Sequence, residues 1–305
     1  MLQDLYLRFF FSLNKKEIEM DNEQLKSFRR KISAKKIQKS YRKHQVSKKK
    51  TANDALARFL TKLNDKQIEF VENQFKRKDD VISVKEKKIN LTGLHLKKLK
   101  PGQSSSLSWL SSEIIDAWSF YLASIHKNCF YLDSAFLTKL LFFEGMEFND
   151  FKRHLKKSKK GKYNQIFKFE NIFLPIHIGE NHWALMVLKI KDKKILYLDS
   201  LESSPDVKSN IISEIWSFFS NCSLDKDLNE KLIDHHVEEW RVDEMIKSPQ
   251  QNNSIDCGVF LCANMFYISN GFIPRYTQKD IPSIRYRIAF TLLQNYLQTE
   301  VTEIV

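Results

Sequence analysis

Cys257, His182, Asp199 and Gln251 are the residues whose types and spacing suit one reaction, attack of a thiolate on a carbonyl carbon. Cys257 follows a polar, turn-prone run, Ser248-Pro249-Gln250-Gln251-Asn252-Asn253-Ser254-Ile255-Asp256. Behind it Val259, Phe260, Leu261, Ala263, Met265, Phe266 and Ile268 form an almost wholly apolar stretch ended by Asn270-Gly271, the pattern of a buried helix with its stop signal. A cysteine in the first turn of such a helix sits among unpaired N–H groups at the positive end of the helix dipole, which favours thiolate over thiol. Gly258 is expected to let a substrate carbonyl come close to the backbone.

A nucleophile of this kind needs a base. After a turn at Gly179-Glu180-Asn181, His182 opens the run Trp183-Ala184-Leu185-Met186-Val187-Leu188, which reads as a central strand. Lys191-Asp192-Lys193-Lys194 turns that strand into Ile195-Leu196-Tyr197-Leu198-Asp199. In a hairpin the end of the second strand returns beside the start of the first, so Asp199 is placed to hold the His182 imidazole in one tautomer. Gln251, six residues before Cys257 and just after a proline region, offers two amide N–H donors to an oxyanion, and helix-terminal N–H groups complete the hole. The order along the chain is base, orienter, nucleophile.

Rival side chains are weaker on position. Asp192 lies in the hairpin turn, at the far end from His182. Cys262 reads as an inert core cysteine, and Asp256 as an anchor for the loop or helix start. His235 and His236 would face opposite sides of a strand, which disfavours a joint metal site.

The elements that position these residues follow from the hydrophobic pattern. A cap and helix are expected around Phe59 to Val71, short strands at 81–84 and 88–91, and a helix carrying Ile114, Ile115 and Trp118 capped by Ser111 or Ser112. Residues 203–221 read as a surface helix with Ile211, Ile212, Ile215 and Phe218 inward, and 234–242 as including the strand before the Gln251 loop. The last helix, from Ile281 or Ser283 through Leu297, carries Ile284, Ile288, Leu292 and Leu293 on one face.

The residue blocks also carry a resemblance. His182-Trp183, Tyr197-Leu198-Asp199-Ser200-Leu201 and Pro249-Gln250-Gln251-x-Asn253-x-x-Asp256-Cys257-Gly258 together resemble the signature blocks of the Ulp/sentrin-specific protease family, over roughly Leu60 to Leu297. These are cysteine peptidases of ubiquitin-like modifiers. The resemblance implies an α/β (α+β) papain-like fold, with a central mixed sheet, flanking helices and the nucleophile at a helix N-terminus. It selects His182 over His177 as base, and it implies cleavage after a C-terminal Gly-Gly with no metal or organic cofactor. SUMO is favoured over Nedd8 as the modifier; a Nedd8-specific protease and a noncatalytic modifier-binding scaffold are the alternatives. By the same resemblance Trp109 and Trp183 match two indoles that cover a narrow channel admitting only glycine, a selectivity set by steric exclusion. Trp109-Leu110 here continues as Ser111-Ser112 rather than the family's usual Asn-Asp.

Composition bounds the rest. The 305 residues, 42% of them hydrophobic, allow a sizeable core. Four cysteines, Cys129, Cys222, Cys257 and Cys262, lack zinc-type pairing and disulfide-framework density, which points to a reducing compartment. No run of about 20 apolar residues stands in the sequence, so no membrane span is expected. Leu5 to Leu13 resembles a signal-peptide core only superficially, since Arg8 interrupts it and no small-residue cleavage site follows.

Charge is concentrated at one end. Residues 1–50 hold 15 of the 50 Lys and Arg and 5 of the 37 Asp and Glu, so 10 of the 13 net positive charges lie there. From Lys26 to Lys50 there are 12 basic residues and no acidic one, with Leu25, Phe28, Ile32, Ile37 and Tyr41 at roughly helical spacing. The expected division is a basic helical N-terminal extension, 1–55, and a protease domain, 56–305. The extension's readings are a nuclear import signal bound by an import receptor, a calmodulin-like partner site, and an anionic lipid or nucleic-acid contact. The expected location is the nucleus, including its periphery, with the cytoplasm second. A second basic island, Lys152 to Lys162, reads as a solvated loop after a helix; the family resemblance implies that it lies near the bound modifier, where an acidic patch on that partner would meet it.

Overall fold

The computed structural model describes residues 38–40, 47, 49–77, 82–84, 89–103, 105–142, 163–179, 181–223 and 239–296. The chain divides into two units, Met1–Ala55 and Leu56–Val305, and the elements that frame the candidate site lie in the second. The basic segment Lys26 to Lys50, the island 152–162 and the pair His235-His236 fall largely or wholly outside the described residues.

Helix α1, Asp65–Phe75, begins where Asn64 and Gln67 satisfy each other's backbone N–H groups in a capping box. A two-stranded antiparallel ribbon, β1 (Ile82–Val84) and β2 (Ile89–Leu91), and the short helix α2 (Gly93–Lys97) lead to α3, Ser112–Ile125. Ser111 stands at the N-cap of α3 with extended backbone, but its side chain makes no cap hydrogen bond. Strand β3 (Cys129–Tyr131) and helix α4 (Ser134–Phe142) follow, then β4 (Asn171–Ile178), β5 (His182–Lys189), β6 (Lys194–Leu198), helix α5 (Pro205–Ser223) and β7 (Arg241–Val242). The last two helices are α6, Cys257–Ser269, and α7, Ile281–Tyr296.

The main sheet is mixed, in the order β3-β4-β5-β6-β7. Strands β4, β5 and β6 form an antiparallel meander, and the short outer strands β3 and β7 run parallel to their neighbours. Strand β5 is therefore central, and its run of six buried residues needs cover on both faces. On one face Ile172, Leu174, Ile176, Ala184, Met186, Leu188, Ile195 and Tyr197 pack with Phe136, Leu137, Ile211, Ile215 and Phe219 from α4 and α5. Side chains alternate along a strand, so Phe173, Trp183, Leu185, Val187 and Leu196 are buried toward the other face, where α6 crosses β5.

Helix α6 has no polar face: all thirteen of its residues are buried, as a helix apolar all round must be. It packs against β5, α3 and α7. Its end is set by Asn270 as C-cap and by Gly271 at φ +80°, a backbone conformation that favours glycine. Along α7 the buried residues include the expected Ile284, Ile288, Leu292 and Leu293, together with Arg285.

Candidate active site

The β5–β6 hairpin sets the first relationship. Its register pairs Leu185 with Leu198 and Lys189 with Lys194, so the residue after Leu198 emerges at the end of the sheet where β5 begins. His182 Nε2 lies 2.8 Å from Asp199 Oδ1. Both side chains are largely buried, 14% exposed for His182 and 5% for Asp199, which strengthens the pair relative to a surface one.

Asp199 is itself held by an Asx turn. Its Oδ1 accepts the Leu201 N–H at 2.9 Å, and its Oδ2 accepts the Ser203 N–H at 3.1 Å and the Ser203 hydroxyl. Burial pushes this carboxyl up, but the bonds from His182, Ser203 and the Leu201 N–H outweigh it and hold the pKa at about 2. For His182 burial opposes the charged ring, yet the Asp199 hydrogen bond and the Cys257 thiol raise its pKa to about 9. Nε2 is taken by Asp199, so the ring nitrogen left for Cys257 is Nδ1, which is buried and makes no other hydrogen bond.

Cys257 is the first residue of α6 and is 2% exposed. Its Sγ lies 3.9 Å from the carbonyl oxygen of Asn181, the residue before His182, which places thiol and imidazole at one point. Among the described residues no hydrogen-bond partner is found for the backbone N–H of Cys257 or Gly258, whereas Val259 N and Phe260 N donate to the Asp256 carbonyl at 2.8 and 3.0 Å. Two N–H donors thus stand open beside the sulfur.

The polar loop before Cys257 is laid against the end of β6. Gln250 Nε2 donates to the Asp199 carbonyl at 3.0 Å, and Gln251 N donates to the Ser200 carbonyl at 3.0 Å. The Gln251 amide is oriented at both ends: Oε1 accepts the Ser200 hydroxyl at 2.6 Å, and one N–H of Nε2 donates to the Asn253 carbonyl at 2.5 Å. The second N–H of that amide is the one left for a substrate oxygen. Asn264 of α6 fastens the start of the loop by donating to Ser248 Oγ at 2.9 Å.

The two tryptophans join the same frame. Trp183 is buried, stacks on His177 with ring centroids 4.4 Å apart, and donates its indole N–H to the Leu110 carbonyl at 2.9 Å. Trp109, half-buried, donates to the Ser254 carbonyl at 2.9 Å. His177 is thus occupied by an indole face, and burial together with the charge of His182 lowers its pKa. Asp192 pairs with Lys189 at the far end of the hairpin. Cys262 is fully buried, which pushes its thiol well up.

Gly258 also has a task inside the protein. A Cβ built there would lie 2.8 Å from Leu110 Cβ and 3.2 Å from Leu110 Cγ, so the glycine makes room for a protein side chain. Asp256 does anchor the loop, and its main partner, Arg285, carries no signal in the sequence beyond being an arginine in a helix. Ser200 and Ser203, which hold Gln251 and Asp199, are not singled out by the sequence reading, although an Asp followed closely by serines is turn-forming chemistry. Among the described residues no group of three or more His, Cys, Asp or Glu is placed to hold a metal ion, and no described helix is long and apolar enough to cross a membrane.

Comparison with known proteins places this geometry. The sequence model of the Ulp1 protease family, C-terminal catalytic domain, matches residues 108–298. Ubiquitin-like-specific protease 1A of Arabidopsis thaliana is 29% identical over 222 residues, 70% of this chain and 41% of that protein. Ubiquitin-like-specific protease 1 of Saccharomyces cerevisiae is 26% identical over 245 residues, 79% of this chain and 35% of that protein. The chain thus spans well under two thirds of the length of either relative. The X-ray structure of the C-terminal Ulp1 protease domain in complex with Smt3, the yeast ortholog of SUMO, superposes with a TM-score of 0.65 at 27% identity, covering 78% of this chain and 98% of that one.

Proposed function

The chain belongs to the Ulp1 protease family, and from that premise we propose that it is a cysteine peptidase cleaving the peptide or isopeptide bond after the C-terminal Gly-Gly of a ubiquitin-like modifier, with SUMO as the modifier. The observation that carries the reading is the His182–Asp199 pair at 2.8 Å, set beside a cysteine that opens a buried helix. The similarity to a protease domain solved with Smt3 supports the choice of modifier.

In this mechanism the Cys257 sulfur attacks the carbonyl carbon of the modifier's last glycine, and His182 Nδ1 holds the proton the thiol gives up. The carbonyl π electrons move onto oxygen, which the Cys257 N–H and the free Gln251 N–H receive. Collapse of the intermediate expels the amine, which takes the proton from His182. Water then adds to the thioester with His182 as base, releasing the modifier's carboxylate and the thiol. Asp199 keeps the ring in the tautomer and orientation both steps need. Trp109 and Trp183 cover the channel for the Gly-Gly tail.

The test is labelling of the purified chain by SUMO, Nedd8 and ubiquitin carrying a C-terminal thiol-reactive warhead, with Cys257→Ala as control. Labelling by SUMO at Cys257 is the expected result; labelling by Nedd8 alone would replace the modifier, and labelling by none would sink the reading. Residues 1–55 are read as a basic targeting extension on the protease domain 56–305, directing the protein to the nucleus through an import receptor, a reading supported by the 12 basic residues from Lys26 to Lys50. Unchanged localisation after deletion of 29–50 would overturn that assignment.

A further inference from the structure

Asp256 stands at the N-cap of α6, where an aspartate ordinarily accepts an N–H from the first turn of its own helix. It accepts none: its backbone lies at φ −99°, ψ 0°, and its side chain makes no cap hydrogen bond. The carboxylate is instead turned away and filled. Oδ1 accepts Arg285 Nε at 2.9 Å and Arg285 Nη2 at 2.5 Å, and Oδ2 accepts Asn253 Nδ2 at 2.7 Å and Gln278 Nε2 at 2.6 Å. All four acceptor positions of the group are used.

Arg285 does more than neutralise that charge. It is 3% exposed, and its remaining N–H groups donate to the carbonyls of Lys98 at 2.7 Å, Ser108 at 3.2 Å and Ile255 at 3.3 Å. One guanidinium therefore ties α7 to the segment before Trp109 and to the loop before Cys257. The tie continues to the oxyanion donor: Asn253, fixed by Asp256, also accepts the Ile255 and Asp256 N–H groups on its Oδ1 at 3.0 and 3.2 Å, and its carbonyl receives the Gln251 amide.

We infer that Arg285 is a positioning residue for the reaction, holding the Asp256 carboxylate off the first turn of α6 so that the Gly258 N–H, the second of that turn, stays open beside the Cys257 N–H for the oxyanion, and fixing through Asn253 the direction of the Gln251 amide. The inference rests on Cys257 being the nucleophile of the proposed function. Without the guanidinium, residue 256 is free to cap its own helix and close the hole with a protein oxygen. A lysine at 285 supplies the charge but not the planar fork that reaches several acceptors at once.

The test uses the full chain with Arg285→Lys and with the double variant Asp256→Asn/Arg285→Gln, which removes the buried charge together with its partner. Two probes separate the hole from the nucleophile. A Gly-Gly peptide ending in glycinal adds the Cys257 sulfur to its aldehyde carbon, the thiol proton passing to His182 and the oxygen becoming the anion that the hole binds. Iodoacetamide alkylates the same sulfur by displacing iodide and needs no hole. The expected result is a loss of at least about tenfold in aldehyde affinity and in kcat on a fluorogenic SUMO substrate, with KM and the alkylation rate at Cys257 within about twofold of wild type. Aldehyde affinity within about twofold of wild type in a folded variant would overturn the inference, as would parallel losses in aldehyde binding and alkylation, which mark general damage. Should the double variant fail to fold, Arg285→Lys decides by the same criteria. Wild type that binds the aldehyde but cleaves no modifier overturns the proposed function and leaves Arg285 to the aldehyde arm; wild type that does not bind the aldehyde overturns both.

Discussion

The side chain of Leu110 occupies the space beside Gly258 where any other residue would place its Cβ, at 2.8 Å from Leu110 Cβ and 3.2 Å from Leu110 Cγ. Leu110 is itself buried, and its carbonyl receives the Trp183 indole, so it has little room to yield. Gly258→Ala should therefore destabilise the protein by about 1–3 kcal/mol, against the roughly 1 kcal/mol that alanine ordinarily gains over glycine in a helix. Leu110→Ala alone should cost about 2–5 kcal/mol. The double variant should cost less than the two together, because the smaller residue at 110 admits the new methyl group. Urea unfolding of the four proteins measures that coupling, and strict additivity would refute the steric account.

The His182–Asp199 pair predicts a pH window for stability and activity. His182 rises from 6.5 to about 9 on folding, so its contribution is fully present below about 6.5 and is lost as pH rises through 9. Asp199 falls from 3.8 to about 2, so its contribution is present above 3.8 and is lost as pH falls through 2. The stability advantage of wild type over Asp199→Asn should be greatest between these limits, roughly pH 4 to 6.5, and should shrink toward pH 10. Cleavage that needs a protonated His182 for the leaving amine should fall above about pH 9, with that limb moving down in Asp199→Asn and kcat dropping by about 10⁴-fold. A high-pH limb in kcat/KM that stays put in the variant would count against the pair.

The parts of this site that could be read from sequence are those built by local rules. A strand opened by His182 and a turn through Lys193, at φ +51°, oblige Asp199 to return beside the histidine, and an apolar run stopped at Asn270-Gly271 announces a buried helix headed by Cys257. What was not legible depends on contacts distant in sequence. Arg285 sits between Ile284 and Tyr286, where a charge in an amphipathic helix usually marks the solvent face, yet it is buried because Asp256 and three carbonyls meet it. The exchange of Leu110 for a side chain at 258 is likewise visible only when α6 and the chain before α3 lie together. The outer strands β3 and β7 are short and pair in parallel with partners reached across long connections, so no hairpin signal marks them.

Gln251 is held at both ends of its amide, and that arrangement separates two variants. Gln251→Ala removes a donor of the proposed oxyanion hole and should lower kcat by about 10²–10³-fold with little change in KM. Ser200→Ala removes only the hydroxyl that donates to Gln251 Oε1 at 2.6 Å; the loss of one such bond, about 1 kcal/mol, should lower kcat by about five- to tenfold. Steady-state kinetics on one fluorogenic substrate compares them, and the combined variant should be no worse than Gln251→Ala, since the serine acts through the amide.

Trp109 and Trp183 are matched in the proposed channel but differ in what the fold asks of them. Trp183 is 3% exposed, is stacked against His177 and is bonded to Leu110, so Trp183→Ala should cost about 3–5 kcal/mol of stability and depress every activity with it. Trp109 is only half-buried and holds the loop before Cys257 through one bond to the Ser254 carbonyl. Trp109→Ala should therefore leave the unfolding midpoint nearly in place while kcat/KM on the modifier falls, and Trp109→Phe, which keeps a flat ring but not the N–H, should recover most of that loss. Equal recovery of thermal stability and of kcat/KM by phenylalanine at 183 would show instead that both indoles act through packing. The informative readout is the split between denaturation and kinetics at each position, because a channel wall and a core side chain fail in different orders.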